Sequence, residues 1–333
     1  MFKTAIVGCG AISKTHAEAI KSVENAEIVA FCDTNPEKLQ IRVDEYGGKS
    51  YSSLDDMLDN EDIDVLHICT PHYLHVPMAL KALKKNVNVL MEKPPAISSE
   101  QYDELLCAKN ESSAKLGICF QNRYNAAVLK AKEILDSGKF GKVLGARAIV
   151  TWSRNETYYT TSGWRGQLEK EGGGVLINQS IHTLDLATFL LGTPNEISAI
   201  SANYHLKDVI NEEDTISAFL RYDDKNVVFF ATTAFCKDAP IILEIVCEGG
   251  SLKLEGNSLK ITYPDNSSEY SDYTIRNESG KACWGTSHKL LIQDFYNSLN
   301  NDKFPVTLES TKPSFDSMMA IYESAKTNKT ITL

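Results

Sequence analysis

Thr4-Ala5-Ile6-Val7-Gly8-Cys9-Gly10-Ala11-Ile12-Ser13 is the stretch that decides the fold of the first half of the chain. An apolar run, Thr4 to Val7, passes directly into G-x-G-x-x-[small], and His16, Ala19 and Ile20 continue it as a helix. Strand, tight turn and helix in that order open a βαβ unit whose turn takes the phosphates of a dinucleotide. Gly8 permits the turn and Gly10 lets a pyrophosphate approach the backbone, while the first N–H groups of the helix offer hydrogen bonds and a partial positive charge. Ser13 stands where the pattern usually has Gly or Ala. That is a small change at a position that only has to let helix and strand pack closely.

Working outward, apolar runs recur between amphipathic stretches at Thr4–Val7, Ile28–Cys32, Val65–Ile68, Val87–Met91 and Gly117–Phe120, the alternation of a doubly wound parallel sheet. The helices between them are punctuated by Pro36 after Asn35, by the capping box Ser98-Ser99-Glu100-Gln101, and by the apolar face Val76, Leu80, Leu83. Asp33 closes the second strand, where its carboxylate can accept from both ribose hydroxyls and repels a 2'-phosphate. Thr34 and Asn35 supply no guanidinium and Lys38 is the nearest cation, so NAD is expected over NADP.

The pattern changes near Asn122-Arg123-Tyr124. After a helix around Val128–Leu135, alternating strands follow, such as Ile216–Tyr222 and Leu252–Glu255. We expect a Rossmann domain over 1–122 and a second α/β domain over 123–333, closed by helices near 287–300 and 312–327, the last packing back on the first domain.

Composition narrows the function. The 333 residues are 43% hydrophobic, enough for one large or two ordinary domains. Lys+Arg 34 against Asp+Glu 44 gives a net charge of -10 with no basic block, which argues against nucleic acid as a partner. No apolar run approaches a membrane span, and Met1 leads into Lys3-Thr4-Ala5-Ile6-Val7 without a cleavable leader, so a cytoplasmic protein is expected. The eight cysteines, Cys283 among them, include no C-x-x-C pair, as in a reducing compartment. The Asn-x-Ser/Thr triplets, including that at Asn277, carry no weight without a secretory signal.

Chemistry-bearing segments follow two strands. Cys69-Thr70-Pro71-His72-Tyr73-Leu74-His75 comes after Val65–Ile68, and Glu92-Lys93-Pro94-Pro95 after Val87–Met91, at the carboxyl ends of parallel strands where ligands bind. In the second half, Gly172-Gly173-Gly174 opens a helix that carries Asn178 and His182, at i and i+4 on one face, and then Asp185. This ordered set resembles the Gfo/Idh/MocA oxidoreductase family over nearly the whole chain.

The resemblance implies a Rossmann domain followed by an α/β domain with a large open, mostly antiparallel sheet that forms the oligomer contact, giving a homodimer or homotetramer. It implies cofactor contacts from Gly8, Cys9, Gly10, Ala11, Ile12, Asp33, Thr34, Thr70, Pro71, His72, His75, Glu92, Lys93 and Asn122, with Lys93, His182 and Asn178 at the reaction. The commonest family pattern has an aspartate where this chain has Asn178, so the chain is similar to a subset that includes some nucleotide-sugar 3-dehydrogenases. An amide there can orient but not titrate.

Hydride leaves a carbinol carbon only as the hydroxyl proton is removed. His182, with an ordinary pKa near 6.5, suits that role while Lys93 hydrogen-bonds the oxygen; Lys93 with a lowered pKa is the other candidate base. The reading favours His182, because Asn178 can fix its ring but cannot replace it. Trp152-Ser153-Arg154, Tyr158-Tyr159 and Ser162-Gly163-Trp164-Arg165-Gly166 mix aromatic faces with guanidinium groups suited to a sugar ring and an acidic substituent. Trp164 and Arg165 lead the substrate residues, with Arg123, Tyr124 and His288 behind them. A zinc site on His72, His75, His182 and Asp185 is not expected, since the cofactor already accounts for these residues. The substrate is expected to be a polyol, sugar or nucleotide sugar. An NAD-dependent glycosidase, a dihydrodiol-type dehydrogenase and a dinucleotide sensor without turnover are the competing readings.

Overall fold

The computed structural model describes residues 1–274, 287–301 and 303–333, so Cys283 and Asn277 lie outside the described residues. The chain forms two compact units, Met1–Gln121 with His288–Thr311, and Asn122–Ser287 with Lys312–Leu333. Among the described residues, no helix is long and apolar enough to cross a membrane.

The first unit is built on β1 (Phe2–Val7), β2 (Ala26–Cys32), β3 (Lys49–Tyr51), β4 (Val65–Ile68), β5 (Asn88–Glu92) and β6 (Leu116–Cys119). They lie in the order β3-β2-β1-β4-β5-β6, every pair parallel. The order reverses between β1 and β4, the switch point at which ligands bind in open α/β sheets. Gly8 sits there with φ +90, and a Cβ on it would come within 2.6 Å of the Cys69 carbonyl oxygen at the end of β4. Only glycine tolerates both conditions. The sequence reading missed β3 because Lys49-Ser50-Tyr51 is a three-residue polar edge strand with no apolar run.

The chain returns to this unit late. Ile118 donates to the Val306 carbonyl (3.0 Å), Tyr102 Oη to the Leu308 carbonyl (2.8 Å), and Tyr296 Oη lies 2.6 Å from Thr4 Oγ1. The returning segment is 288–311, whereas Lys312–Thr327 belongs to the second unit, where Ser324 Oγ accepts from the Ala199 N–H (2.9 Å).

The second unit contains β7 (Val143–Thr151), β8 (Glu196–Ala202), β9 (Thr215–Arg221), β10 (Asn226–Thr232), β11 (Ile242–Cys247), β12 (Gly250–Glu255), β13 (Ser258–Thr262), β14 (Ser268–Asp272) and β15 (Ile331–Thr332). The order is β14-β13-β12-β11-β7-β10-β9-β8-β15, antiparallel except for β7 with β10. The expected α/β class, a parallel sheet followed by a mostly antiparallel one, is what forms. Strand alternation divides this sheet. Ile197, Ile216, Ala218, Leu220, Val227 and Phe229 are buried on one face, and helices Ile181–Leu191 and Lys312–Thr327 pack on the sheet. Ile200, Phe219 and Val228 emerge on the other face at 69%, 39% and 50% exposure, with Phe219 directly opposite Val228.

Glu213, between β8 and β9, fixes the start of the helix that follows the three glycines. Its Oε2 accepts from the Gly174 N–H (2.9 Å), its carbonyl from Val175 (3.0 Å) and its Oε1 from Leu176 (3.0 Å), while Tyr322 Oη accepts from Ile177 (3.2 Å) and donates to Glu213 Oε1 (3.0 Å). Four N–H groups that a helix start leaves without partners are thereby all satisfied. The approach is close enough that a Cβ on Gly173 would collide with the Tyr322 hydroxyl and one on Gly174 with the Glu213 carbonyl.

Burial pushes the Glu213 pKa up from 4.5 to about 7, against the Leu176 and Tyr322 hydrogen bonds that favour its charge. A carboxyl raised on folding contributes stability that is complete below about pH 4.5 and is lost as pH rises through about 7, a change on the order of 3 kcal/mol. The melting temperature of the wild type should therefore fall relative to that of Glu213→Gln between about pH 5 and pH 8. A constant difference across that range would refute the assignment.

Candidate active site

Gly10 precedes helix Ala11–Lys21 with φ -69, and no side chain caps the helix start. Nothing lies within 4 Å of a Cβ built on Gly10, so neither the backbone nor the packing of the protein demands glycine here, and the space is open to a ligand. Asp33 ties the turn to the end of β2, its Oδ2 accepting from the Cys9 N–H (2.6 Å) and its Oδ1 from Asn35 (2.7 Å). Each oxygen keeps a lone pair for a ribose hydroxyl. Thr34 is exposed beside it, and the cap of the next helix is Asn35, which accepts from the Lys38 N–H (3.0 Å). Cys9 serves through its N–H. Its thiol is pushed up to about 12 by burial and the Asp33 charge. Ser13 turns the departure from the usual glycine to use, its hydroxyl donating to the Gly10 carbonyl (2.7 Å) and accepting from Arg42 Nε (3.0 Å).

Thr70 Oγ1 is buried without a hydrogen-bond partner among the described residues, and so is Asn122 Oδ1 in the second unit. Unpaired buried polar atoms are costly, and these are two of the positions at which the sequence places cofactor contacts. The residues of the first unit, Thr70 among them, thus fit a dinucleotide. Pro71 is half-buried and His72 buried at the start of the same loop. His75 is corrected. Its ring is fully buried, with Nδ1 2.9 Å from the Pro94 carbonyl and Nε2 3.0 Å from that of Thr70. Burial lowers its pKa although both carbonyls pull the other way, so the neutral ring donates to one and faces the other. It straps the Thr70 loop to the turn that carries Lys93, which leaves no ring nitrogen for a cofactor.

Glu92 is corrected likewise. Its Oε1 lies 2.9 Å from His16 Nε2 and 3.7 Å from His288 Nε2, directed into the unit rather than toward a ligand. Burial would raise its pKa, but hydrogen bonds from His16 and His288 hold it well below the usual carboxylate range. His288, expected at the substrate, belongs to this cluster. The contacts continue from His16 Nδ1 to His67 Nδ1 (2.8 Å), from His67 Nε2 to Tyr296 Oη (3.0 Å) and on to Thr4 Oγ1. Burial holds His67 neutral. The file runs from Thr4 through Tyr296, His67 and His16 to the Glu92 carboxylate, each hydroxyl or ring nitrogen facing the next within hydrogen-bond distance. The sequence hid this file, because a lone histidine on a helix or strand reads as packing.

In the second unit the turn Leu176–Ser180 is π-helical and leads into helix Ile181–Leu191. Such turns are frequent at functional sites. Asn178 on this turn and His182 on the helix that follows are both half-buried. Asn178 Nδ2 donates to Glu171 and reaches Tyr158 Oη (3.4 Å), which also accepts from Gln179 Nε2 (3.2 Å). Arg165 lies 4.3 Å over the Tyr158 ring and 5.2 Å over that of Trp164. The structure therefore brings together the Tyr158, Trp164, Arg165 and Asn178 group. Arg154 lies 5.2 Å over the same Tyr158 ring and pairs with Asp238 (2.8 Å), and Trp152 Nε1 donates to the Ala239 carbonyl (3.1 Å). Arg123 is corrected as a substrate residue. Its buried guanidinium forks onto both oxygens of Asp185, Nε to Oδ2 at 2.8 Å and NH2 to Oδ1 at 2.5 Å. The neighbouring Tyr124 is half-buried. Glu171 and Glu213 were missed, each sitting among charged neighbours that read as a solvated surface.

Residues 2–120 match the family described as Oxidoreductase family, NAD-binding Rossmann fold, and residues 128–253 match the GFO/IDH/MocA C-terminal domain. The WlbA dehydrogenase from Bordetella pertussis, solved in complex with NADH and UDP-GlcNAcA, is similar at 30% identity with a TM-score of 0.87, over 100% of this chain and 98% of that one. Glucose-6-phosphate 3-dehydrogenase of Bacillus subtilis (strain 168) is 30% identical over 57% of this chain, and D-glucoside 3-dehydrogenase of Escherichia coli (strain K12) is 30% identical over 66%. The matched stretches span 54% and 62% of those two relatives. The chain belongs to the Gfo/Idh/MocA oxidoreductase family, with that family's NAD-binding Rossmann domain at residues 2–120.

Proposed function

We propose that the chain is an NAD(H)-dependent dehydrogenase acting on a secondary hydroxyl of a sugar that carries an anionic group. The observation that carries the activity is the Gly8–Ile12 turn, closed against β4 on one side and open beyond Gly10 on the other, with an uncapped helix start behind it. Gly8, Gly10, Asp33, Thr70 and Asn122 would hold the cofactor, which when bound supplies the hydride acceptor. His182 takes the hydroxyl proton, Lys93 hydrogen-bonds the same oxygen, and Asn178 orients without titrating. The anionic group is argued from Arg165. Its Nε is buried with no hydrogen-bond partner, and no carboxylate pairs with it among the described residues. A guanidinium held on aromatic faces suits a carboxylate or phosphate. The similar proteins named for glucose-6-phosphate and solved with UDP-GlcNAcA support that class. The face bearing Ile200, Phe219 and Val228 supports assembly into a homodimer or homotetramer.

Absorbance at 340 nm over a panel of neutral sugars, sugar phosphates and uronates tests the reading. Net NADH should form with the anionic members first, and a panel with no turnover would sink it. Gly10→Ala should leave the melting temperature near wild type yet weaken NAD binding about tenfold or more, while the wild type prefers NAD to NADP. Unchanged affinity would mean that the open space is not the pyrophosphate site. His182→Ala should lower kcat by about 10²- to 10⁴-fold with NAD affinity retained, and full turnover would remove His182 from the chemistry. Light scattering should show an oligomer for the wild type and a monomer when Phe219→Lys and Val228→Lys are combined. A monomeric wild type at micromolar concentration would contradict the assembly.

A further inference from the structure

Glu171 closes the short helix Leu168–Glu171 just ahead of the glycines, and none of it is exposed. Burying a carboxylate is costly unless its oxygens are taken by donors. Here Oε2 accepts from the Gly166 N–H and Oε1 from Asn178 Nδ2. With Glu171 ionised both of its oxygens accept, so Nδ2 of Asn178 faces Glu171 and Tyr158 and Oδ1 points to the opposite side of the amide plane. The same carboxylate ties the Trp164-Arg165-Gly166 loop to the π-helical turn.

We infer that Glu171 is a positioning residue of the reaction centre, acting through the Asn178 amide to present Oδ1 as an acceptor. This rests on the dehydrogenase reading above. It implies that residues 171 and 178 form an exchangeable acid–amide pair. Glu171→Gln alone sets an amide donor against either Gly166 or Asn178. Asn178→Asp alone sets two carboxylates against each other, so that one keeps its proton to unusually high pH. Glu171→Gln with Asn178→Asp restores one donor and one acceptor with the charge moved a hydrogen bond closer to His182.

The experiment is the four-member cycle, read by melting temperature, by NAD affinity and by the pH dependence of kcat. Each single variant should lose kcat about tenfold or more with NAD affinity retained. The double variant should exceed the product of the singles in kcat, recover melting temperature, and move its profile for oxidation to higher pH, because the nearer charge raises the pKa of His182. A purely structural role would not move the profile. A stable Glu171→Gln protein with wild-type kcat and profile would overturn the inference, as would a double variant no better than that product. If Glu171→Gln does not fold, Asn178→Asp decides: an added ionisation above the ordinary carboxylate range supports the pair, and an unchanged profile overturns it. A wild type that binds NAD but turns over no sugar fails the dehydrogenase reading instead.

Discussion

The N–H groups of residues 174–177 face inward at a helix start, and each would cost about 1–3 kcal/mol if buried unpaired. Glu213 and Tyr322 take all four. The placement of Asn178 and His182 depends on this, since the π-helical turn begins at Leu176. It also explains two of the three consecutive glycines that follow Glu169-Lys170-Glu171. The groups that do the capping arrive too close for side chains at 173 and 174.

The first unit uses the same geometry for the opposite purpose. Helix Ala11–Lys21 also starts at a glycine, but no side chain meets its first N–H groups, and the space beside Gly10 is empty of protein. Both helix starts have a surplus of donors. One is filled by the chain and holds residues in place, while the other is left for an anion.

Much of this was legible in the sequence. The phosphate turn, the parallel sheet and the segments at Thr70, Lys93 and Asn178 follow from local signals: a glycine pattern, runs of β-branched residues, and polar residues at strand ends. What was not legible depends on pairs far apart in the chain. Arg123 reads as a substrate cation until Asp185 is placed against it, and His75 reads as a ligand until the Pro94 carbonyl meets its ring. Glu171 and Glu213 look like ordinary surface acids until burial and their backbone partners are known. Sequence spacing shows which residues are chemically able, and only the tertiary pairing shows which are already committed.

The first unit is interrupted in the chain by most of the second. The hydroxyl of Tyr296 that meets Thr4 comes 292 residues later, and the segment beside β6 arrives with Val306 and Thr307. Domains tend to fold as they leave the ribosome, N-terminal first. Here the dinucleotide domain must wait, its sheet formed but one flank open, until the whole of Asn122–Ser287 has been made. During synthesis the second unit closes later still, because its own last helix, Lys312–Thr327, follows that segment. A fragment cut at the apparent domain boundary would be a Rossmann sheet with part of its core missing.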